Sequence, residues 1–287
     1  MINDVGFFPE AKRYSDEVEV LLLAARRLSK SLRLGEHGRR TSGAGSDFWQ
    51  FRKFENGLDS PRSINWKQSA KSDELYVRET EWSAPQTLSI IVDRDGDHFI
   101  DHPKSKAYFN ALITMALGYA YCDISEKVRV ECGEFLQVDR PKEQIEIADT
   151  LLQPSDHPLR LPIAQDIPRN SKALILSSYF QGHEGLAQHL STFGERGITG
   201  CLVQVLTQDE LNFPFSGRVE FKSASGSIKF QSNQARALRL EYLDKLAKNQ
   251  KSLAEIAAAN DWIYLNVSIE QDPREIIGLI IEHLGMH

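Results

Sequence analysis

The sequence predicts an α/β fold in which helices cover both faces of a mostly parallel sheet. Three runs of apolar residues, 87–92, 173–178 and 200–206, are nearly continuous, as is typical of strands that are buried on both faces. The segments between these runs are long enough for helices, and strands that alternate with helices favour a parallel sheet. We therefore expect the three runs to be the central strands of one sheet.

The composition is that of a folded globular protein. Of the 287 residues, 41% are hydrophobic and 26% are charged, and the net charge is −6. These values exclude a wholly disordered chain, a collagen and a coiled coil. The negative net charge argues against a dominant nucleic-acid-binding surface. No run reaches the length of about eighteen apolar residues that a membrane span needs, and no signal peptide is recognisable, so we expect a cytoplasmic protein.

The three cysteines are predicted to be free thiols. Cys122, Cys132 and Cys201 lie far apart in the sequence and form no CxxC pair. An odd number of separated cysteines favours buried thiols in a reducing compartment over a disulfide framework.

We predict two regions along the chain, 1–83 and 84–287. The first region begins with a helix at 15–34, where apolar residues recur at helical spacing. A loop rich in Gly, Arg and Ser follows at 35–46, and a β-rich block of aromatic and charged residues follows at 48–82.

The second region is the predicted α/β domain. Besides the three central strands, it contains helices, two hairpins and a fourth strand. These elements are a helix at 104–121, a hairpin of 127–132 and 134–138, helices at 142–152 and 185–196, a hairpin at 218–230, a helix at 233–259, a strand at 262–267 and a helix at 273–284.

The block at 48–82 has six basic and six acidic residues among its aromatic ones. Interleaved aromatic and basic residues can bind single-stranded nucleic acid, but the equal number of acids disfavours that function here. We expect Trp66 to be mostly buried, so that its replacement by alanine would cost roughly 3–5 kcal/mol. Arg62 and Lys67 could bind a phosphate or a carboxylate of a partner. The alternative is an ion pair of Arg62 or Lys67 with a carboxylate of the block, and we predict at least one such pair.

Polar side chains follow two of the predicted central strands. Asp93, Asp95 and Asp97 follow the first strand, and Ser177 and Ser178 end the second. In an open parallel sheet, ligands bind beyond the carboxyl ends of the strands, where the strand order reverses. Carboxylates so close together repel one another, and either a hard divalent cation or exposure to water would relieve the repulsion. Asp93, Asp95, Asp97 and Ser177 are therefore candidate metal ligands.

Three motif interpretations compete for this cluster. An EF-hand is excluded because a strand flanks the segment, and because positions six and twelve are His98 and Lys104. A haloacid-dehalogenase-like phosphatase would use Asp93 as nucleophile and Asp95 as acid, but Ser268 and no acidic pair follows the last strand. The third interpretation is the metal-ion-dependent adhesion site of a von Willebrand A-type domain, in which an apolar strand ends in the pattern DxSxS. The spacing fits, but aspartates replace both serines.

The most specific motif lies in the block. Residues 62–81 read RSINWKQSAKSDELYVRETE. This stretch resembles the hallmark of the bacterial "domain of unknown function 58" family, R-x-I-(D/N)-W-(K/R)-x-(S/T)-A followed by L-x-V-(R/K). Weaker similarity lies upstream at 35–40 and 48–52 and downstream at 205–217, so that the resemblance extends over about residues 20–284.

The resemblance implies a von Willebrand A-like domain preceded by the block. It also implies a partnership with a MoxR-type AAA+ ATPase in the assembly or maturation of a client protein, and no catalytic activity is established for the family. Because of the replaced serines, the adhesion-type metal site would be degenerate, with no cofactor or with weakly bound Mg²⁺ or Ca²⁺.

We therefore expect a non-enzymatic adaptor that binds a MoxR-type ATPase and an unknown protein client, and no nucleic acid. The alternative is a metal-dependent phosphoryl-transfer enzyme that uses Asp93 and Asp95. The acidic cluster at the strand ends, through Asp95 and Asp97, is the first candidate for docking the ATPase. Four basic residues form a second candidate interaction set: Arg39, Arg40, Arg62 and Lys67.

Overall fold

The computed structural model describes residues 7–32, 48–55, 60–71, 74–80, 86–99, 105–155, 159, 161–180, 185–222 and 229–285. Contacts divide the chain into two units. An α/β unit comprises Met1–Leu34 and Gln86–Met286, and a smaller unit comprises Gly35–Pro85.

A six-stranded sheet forms the centre of the α/β unit. Its strands are β3 (Thr87–Val92), β4 (Lys127–Glu131), β5 (Phe135–Gln137), β6 (Lys172–Ser177), β7 (Thr199–Leu206) and β10 (Ile263–Ser268). They lie in the order β10-β7-β6-β3-β4-β5, and all neighbours are parallel except β4 and β5. The three apolar runs are the interior strands β3, β6 and β7, which confirms the prediction of a mostly parallel α/β sheet.

Helices pack on both faces of this sheet. The helices of the unit are α1 (Phe7–Ser31), α3 (Lys106–Asp123), α4 (Pro141–Leu151), α5 (Leu186–Gly194), α6 (Gln208–Asn212), α7 (Ala235–Ala259) and α8 (Pro273–Leu284). Leu88 and Ile90 of β3 point into a core with α1, α3, α4 and α8, whereas Ile91 points into a core with α5 and α7. This alternation explains the nearly continuous apolar sequence of β3, because both of its faces are covered.

Helix α1 differs from its predicted range and grouping. It begins at Phe7 and not near residue 15. Pro9 does not prevent this earlier start, because it lies in the first turn, where a helix tolerates proline. We grouped this helix with the block, but in the structure it packs on α3 in the α/β unit. Val18, Leu21 and Ala25 form its buried stripe.

The smaller unit contains a two-stranded antiparallel sheet and one turn of helix. Its elements are β1 (Phe48–Lys53), α2 (Trp66–Ser69) and β2 (Tyr76–Thr80). The loop predicted at 35–46 lies outside the described residues.

A second hairpin, in the α/β unit, consists of β8 (Val219–Lys222) and β9 (Lys229–Ser232), and its turn lies outside the described residues. In the described part of the chain, no helix is both long and apolar enough to cross a membrane.

Candidate functional site

Asp93 lies where the strand order of the sheet reverses. The chain leaves β3 for β4 on one side and returns later to β6 on the other side, so the ends of β3 and β6 flank the crevice. The Oδ2 atom of Asp93 accepts a hydrogen bond from Ser177 Oγ at 2.6 Å, and its Oδ1 atom accepts one from the backbone N–H of Asp95 at 3.1 Å. The structure thus brings Asp93 and Ser177 together, and Asp93 is only 4% exposed.

Residues at the end of β6 and just after it form further hydrogen bonds beside Asp93. Ser177 Oγ also accepts the N–H of Tyr179 at 2.9 Å, and Tyr179 has a left-handed φ of 53°. Gln204 donates to the carbonyl of Ser178 at 2.8 Å. Burial, together with the charge of Asp93, raises the pKa of Tyr179 well above its ordinary value. The groups beside Asp93 are therefore held in a buried network.

A buried lysine also lies at the carboxyl ends of the strands. Lys106 is the first residue of α3, follows the N-cap Ser105, and is 4% exposed. Its Nζ atom lies 2.7 Å from Oε1 of Glu210, which follows β7, and 5.7 Å from the centre of the Phe180 ring. The Oε2 atom of Glu210 accepts from the backbone N–H of Thr207 at 2.8 Å. This ion pair connects α3 to the end of β7.

Sequence reasoning missed Lys106. A lysine at a helix N-terminus is unfavourable for the helix dipole. Lys106 begins a strongly apolar helix, and this position in the sequence could have indicated a buried ammonium group with a charged partner.

The described groups of the candidate metal site already bind other groups of the protein. Each carboxylate oxygen of Asp93 already accepts a hydrogen bond, and Ser177 Oγ both donates and accepts. The ammonium group of Lys106 supplies a positive charge at the strand ends. Among the described residues, no group of three or more His, Cys, Asp or Glu side chains could hold a metal ion.

The rest of the acidic cluster is only partly described. Asp95 is half-buried and forms an isolated bridge with Ser155, whose N–H donates to the carbonyl of Arg94 at 2.7 Å. Asp97 lies in the 3₁₀ turn Gly96–Phe99, and its side chain is outside the described residues. A phosphatase nucleophile must reach its substrate, so the burial of Asp93 disfavours that role.

The motif in the smaller unit contains residues that build its local structure. Asn65 is the N-cap of α2, and its Oδ1 atom accepts from the N–H of Gln68 at 3.0 Å. Ser69 Oγ donates to the carbonyl of Asn65 at 2.9 Å and accepts from the N–H of Tyr76 at 2.9 Å. Ile64 forms a bridge with Val77 of β2. These contacts fix the turn of helix against the sheet.

Three other motif residues point to solvent, and we call Arg62, Trp66 and Lys67 the motif surface. Trp66 is 66% exposed, so the prediction that it is buried was wrong. The reason is the shortness of α2, which has a single turn and buries only Ser69.

The ion pair expected for Arg62 or Lys67 stays a prediction, because the side chains of its candidate partners Asp59, Glu79 and Glu81 lie outside the described residues. Both basic side chains are exposed, and neither forms an ion pair with a carboxylate of the described residues. Glu74, an acid of the block, is instead 2.6 Å from Lys53. Arg39 and Arg40, the other predicted interaction residues, lie outside the described residues.

The family comparison agrees with this motif. Residues 50–140 match the family described as "Protein of unknown function DUF58". This segment of the chain is similar to the DUF58 family. The match includes Arg62, Trp66 and Lys67 and continues through the strands β3, β4 and β5. It confirms the resemblance inferred from the RSINWKQSA stretch.

Two solved structures are similar to the chain at low sequence identity. One is "an aerotolerance-related membrane protein from Bacteroides fragilis NCTC 9343 with multiple mutations to serines", with 15% identity, a TM-score of 0.42, and coverage of 70% of this chain and 100% of that chain. The other is the "conserved hypothetical protein BatB from Bacteroides thetaiotaomicron", with 13% identity, a TM-score of 0.39 and the same coverage. No curated protein matches the sequence.

Proposed function

We propose that this chain is a non-enzymatic interaction protein whose motif surface docks a MoxR-type AAA+ ATPase, and that the two act together on a client protein. The observation that carries the proposal is the 66% exposure of Trp66 within the most specific stretch of the family motif. Tryptophan and arginine are the residues most enriched among the energetic hot spots of protein interfaces.

The contacts within the motif support a binding role for its exposed part. Asn65 and Ser69 form side-chain hydrogen bonds that hold the turn of helix. Those bonds do not involve the side chains of Arg62, Trp66 and Lys67. The indole ring and the two basic groups can therefore contact a partner. The two basic side chains favour a partner surface with acidic groups around an apolar pocket.

We propose further that the α/β unit is a von Willebrand A-like domain that needs no metal. At its strand ends, the carboxylate of Asp93 binds Ser177 and the ammonium group of Lys106 binds Glu210. These polar groups therefore have partners within the protein itself. Docking of the ATPase would accordingly not depend on a divalent ion bound by this chain. Because Asp93 is buried and Asp95 is half-buried, the strand ends are also a poorer docking surface than the motif surface.

Co-purification with the MoxR-type ATPase of the host tests this proposal. The variants are Trp66→Ala and the double charge reversal Arg62→Glu/Lys67→Glu. A matched control is Lys248→Glu/Lys251→Glu, which makes the same change of charge at exposed positions of α7. The double variant Asp95→Lys/Asp97→Lys tests the strand ends as the alternative docking surface.

We expect both motif variants to lose the ATPase and both other variants to retain it. Retention by the motif variants, combined with loss by the strand-end variant, would show that the strand ends are the docking surface. Failure of the folded wild-type chain to retain the ATPase would refute the partnership itself.

A further inference from the structure

Strand β10 forms one edge of the six-stranded sheet, and its outward backbone groups can be identified. It pairs with β7 in continuous register from Ile263–Cys201 to Ser268–Leu206, without a bulge. Just beyond the strand, the N–H of Ile269 donates to the carbonyl of Leu206 at 3.0 Å. Because the direction of the backbone groups alternates along a strand, the groups of Leu265 point to β7, and those of Tyr264 and Asn266 point outward.

The carboxyl end of this edge is already closed. Ser268 also points outward, but its N–H donates to Oε1 of Gln271 at 2.8 Å, and its carbonyl accepts the N–H of Gln271 at 3.1 Å. The N–H and carbonyl groups of Tyr264 and Asn266 have no such partner among the described residues. Four backbone groups thus remain open at the edge.

Among the described residues, the edge also lacks the usual protection against strand pairing. The sequence of β10, IYLNVS, has no charged residue and no proline. Edge strands normally avoid pairing through charges, proline or bulges. Asn266 is exposed, and Leu265 is only partly buried against the core because α8 packs over β7.

We propose that β10 pairs with β10 of a second copy of this chain, antiparallel, about a two-fold axis at Leu265. In this register Tyr264 of one copy faces Asn266 of the other, and each such pair exchanges two backbone hydrogen bonds. The two pairs form four bonds and use all four open groups of each strand. Leu265 then faces its own counterpart in a non-hydrogen-bonded pair, with a Cα–Cα distance of about 4.5 Å.

The symmetry of the open groups selects a second copy as the partner. Because these groups are placed evenly about Leu265, the same strand in the reversed direction satisfies every one of them. A two-fold dimer requires such a self-complementary surface. The strand carries no charge, so the two copies do not repel each other along the axis.

Charge substitutions at Leu265 test this dimer by analytical ultracentrifugation. Leu265→Lys and Leu265→Glu each place like charges directly opposite one another, so each variant alone should be monomeric. An equimolar mixture should form a heterodimer, because lysine then faces glutamate. A folding defect cannot produce this recovery.

A backbone substitution gives an independent test. Asn266→Pro removes an outward N–H and leaves the bonds to β7 in place, since proline is tolerated on the open side of an edge strand. It should abolish the dimer while the circular dichroism spectrum is unchanged, and Asn266→Thr, which keeps the N–H, should remain dimeric. A wild-type chain that is monomeric at high micromolar concentration would overturn the proposal, as would a dimer that withstands both Leu265→Lys and Asn266→Pro.

Discussion

At the scale of single residues, the motif separates positions that hold the fold from positions that are exposed. Ser69 Oγ links the carbonyl of Asn65 to the N–H of Tyr76, with both distances at 2.9 Å. Trp66 lies in the same turn of helix but is 66% exposed. The periodicity of the sequence could not distinguish these positions, because a single helical turn is too short to show an apolar face.

We expect Trp66→Ala to change the free energy of unfolding by less than about 1 kcal/mol, since little apolar surface is removed from the core. The control Ser69→Ala should cost about 1–3 kcal/mol, because the N–H of Tyr76 loses its acceptor. Urea denaturation of both variants measures these values. A loss of several kcal/mol in Trp66→Ala would restore the original view that Trp66 is a core residue.

A second prediction concerns the buried hydrogen bond at the strand ends. Ser177→Ala should lower the free energy of unfolding by about 1–3 kcal/mol, because the carboxylate of Asp93 loses a donor and the N–H of Tyr179 loses its acceptor. Ser191→Ala at an exposed position of α5 is the matched control and should stay within about 0.5 kcal/mol. Equal stability of the two variants in guanidinium denaturation would mean that the network contributes nothing.

At the scale of elements, the accuracy of the sequence prediction followed the strength of local signals. Helix α8 was predicted with its observed bounds, because Asp272 caps its start, Pro273 fits the first turn, and Gly285 ends it with a φ of 62°. The interior strands were equally clear from their apolar runs.

The ion pair at the strand ends was not predictable in this way. Lys106 and Glu210 are 104 positions apart in the sequence, and only the assembled sheet brings them within 2.7 Å. The presence of a buried ammonium group at the strand ends therefore depended on tertiary structure. By contrast, the proximity of Asp93 and Ser177 followed from the general rule for strand ends.

The contact between β6 and β7 gives a prediction for one glycine. A Cβ atom at Gly200 would lie 1.7 Å from the carbonyl oxygen of Ala173 on the neighbouring strand. Gly200→Ala should therefore cost at least about 2–3 kcal/mol, because the backbone of an interior strand has little room to move. Gly194→Ala is the control, since its Cβ would meet nothing within 4 Å. Thermal denaturation that shows no difference between the two variants would contradict the described packing of these strands.

At the scale of the whole molecule, the burial of Cys201 and the partial burial of Cys122 and Cys132 predict a loss of stability at alkaline pH. Burial raises the pKa of Cys122 to about 11, and the pKa values of Cys132 and Cys201 to about 12, from an ordinary value of 9.0. Above pH 9, the unfolded chain releases thiol protons that the folded chain keeps. The unfolded state then binds fewer protons, so stability falls as the pH rises from about 9 toward 11–12.

Thiol labelling and denaturation together measure this effect. We expect slow labelling of the folded chain at pH 8, rapid labelling in urea, and a lower urea midpoint at pH 10 than at pH 8. A variant with alanine at all three cysteine positions should lose part of this pH dependence. Rapid labelling of Cys201 in the folded chain would contradict its burial.

The central claim for the whole molecule is that the motif surface docks the ATPase and the strand ends do not. Its most direct test is calorimetric titration of the purified MoxR-type ATPase into the wild-type chain, Trp66→Ala, and Asp95→Lys/Asp97→Lys, each shown to be folded. We predict that Trp66→Ala raises Kd at least about tenfold, which corresponds to about 1.4 kcal/mol. The strand-end variant should stay within about twofold of the wild type. An unchanged Kd in Trp66→Ala, together with weaker binding by the strand-end variant, would contradict the claim.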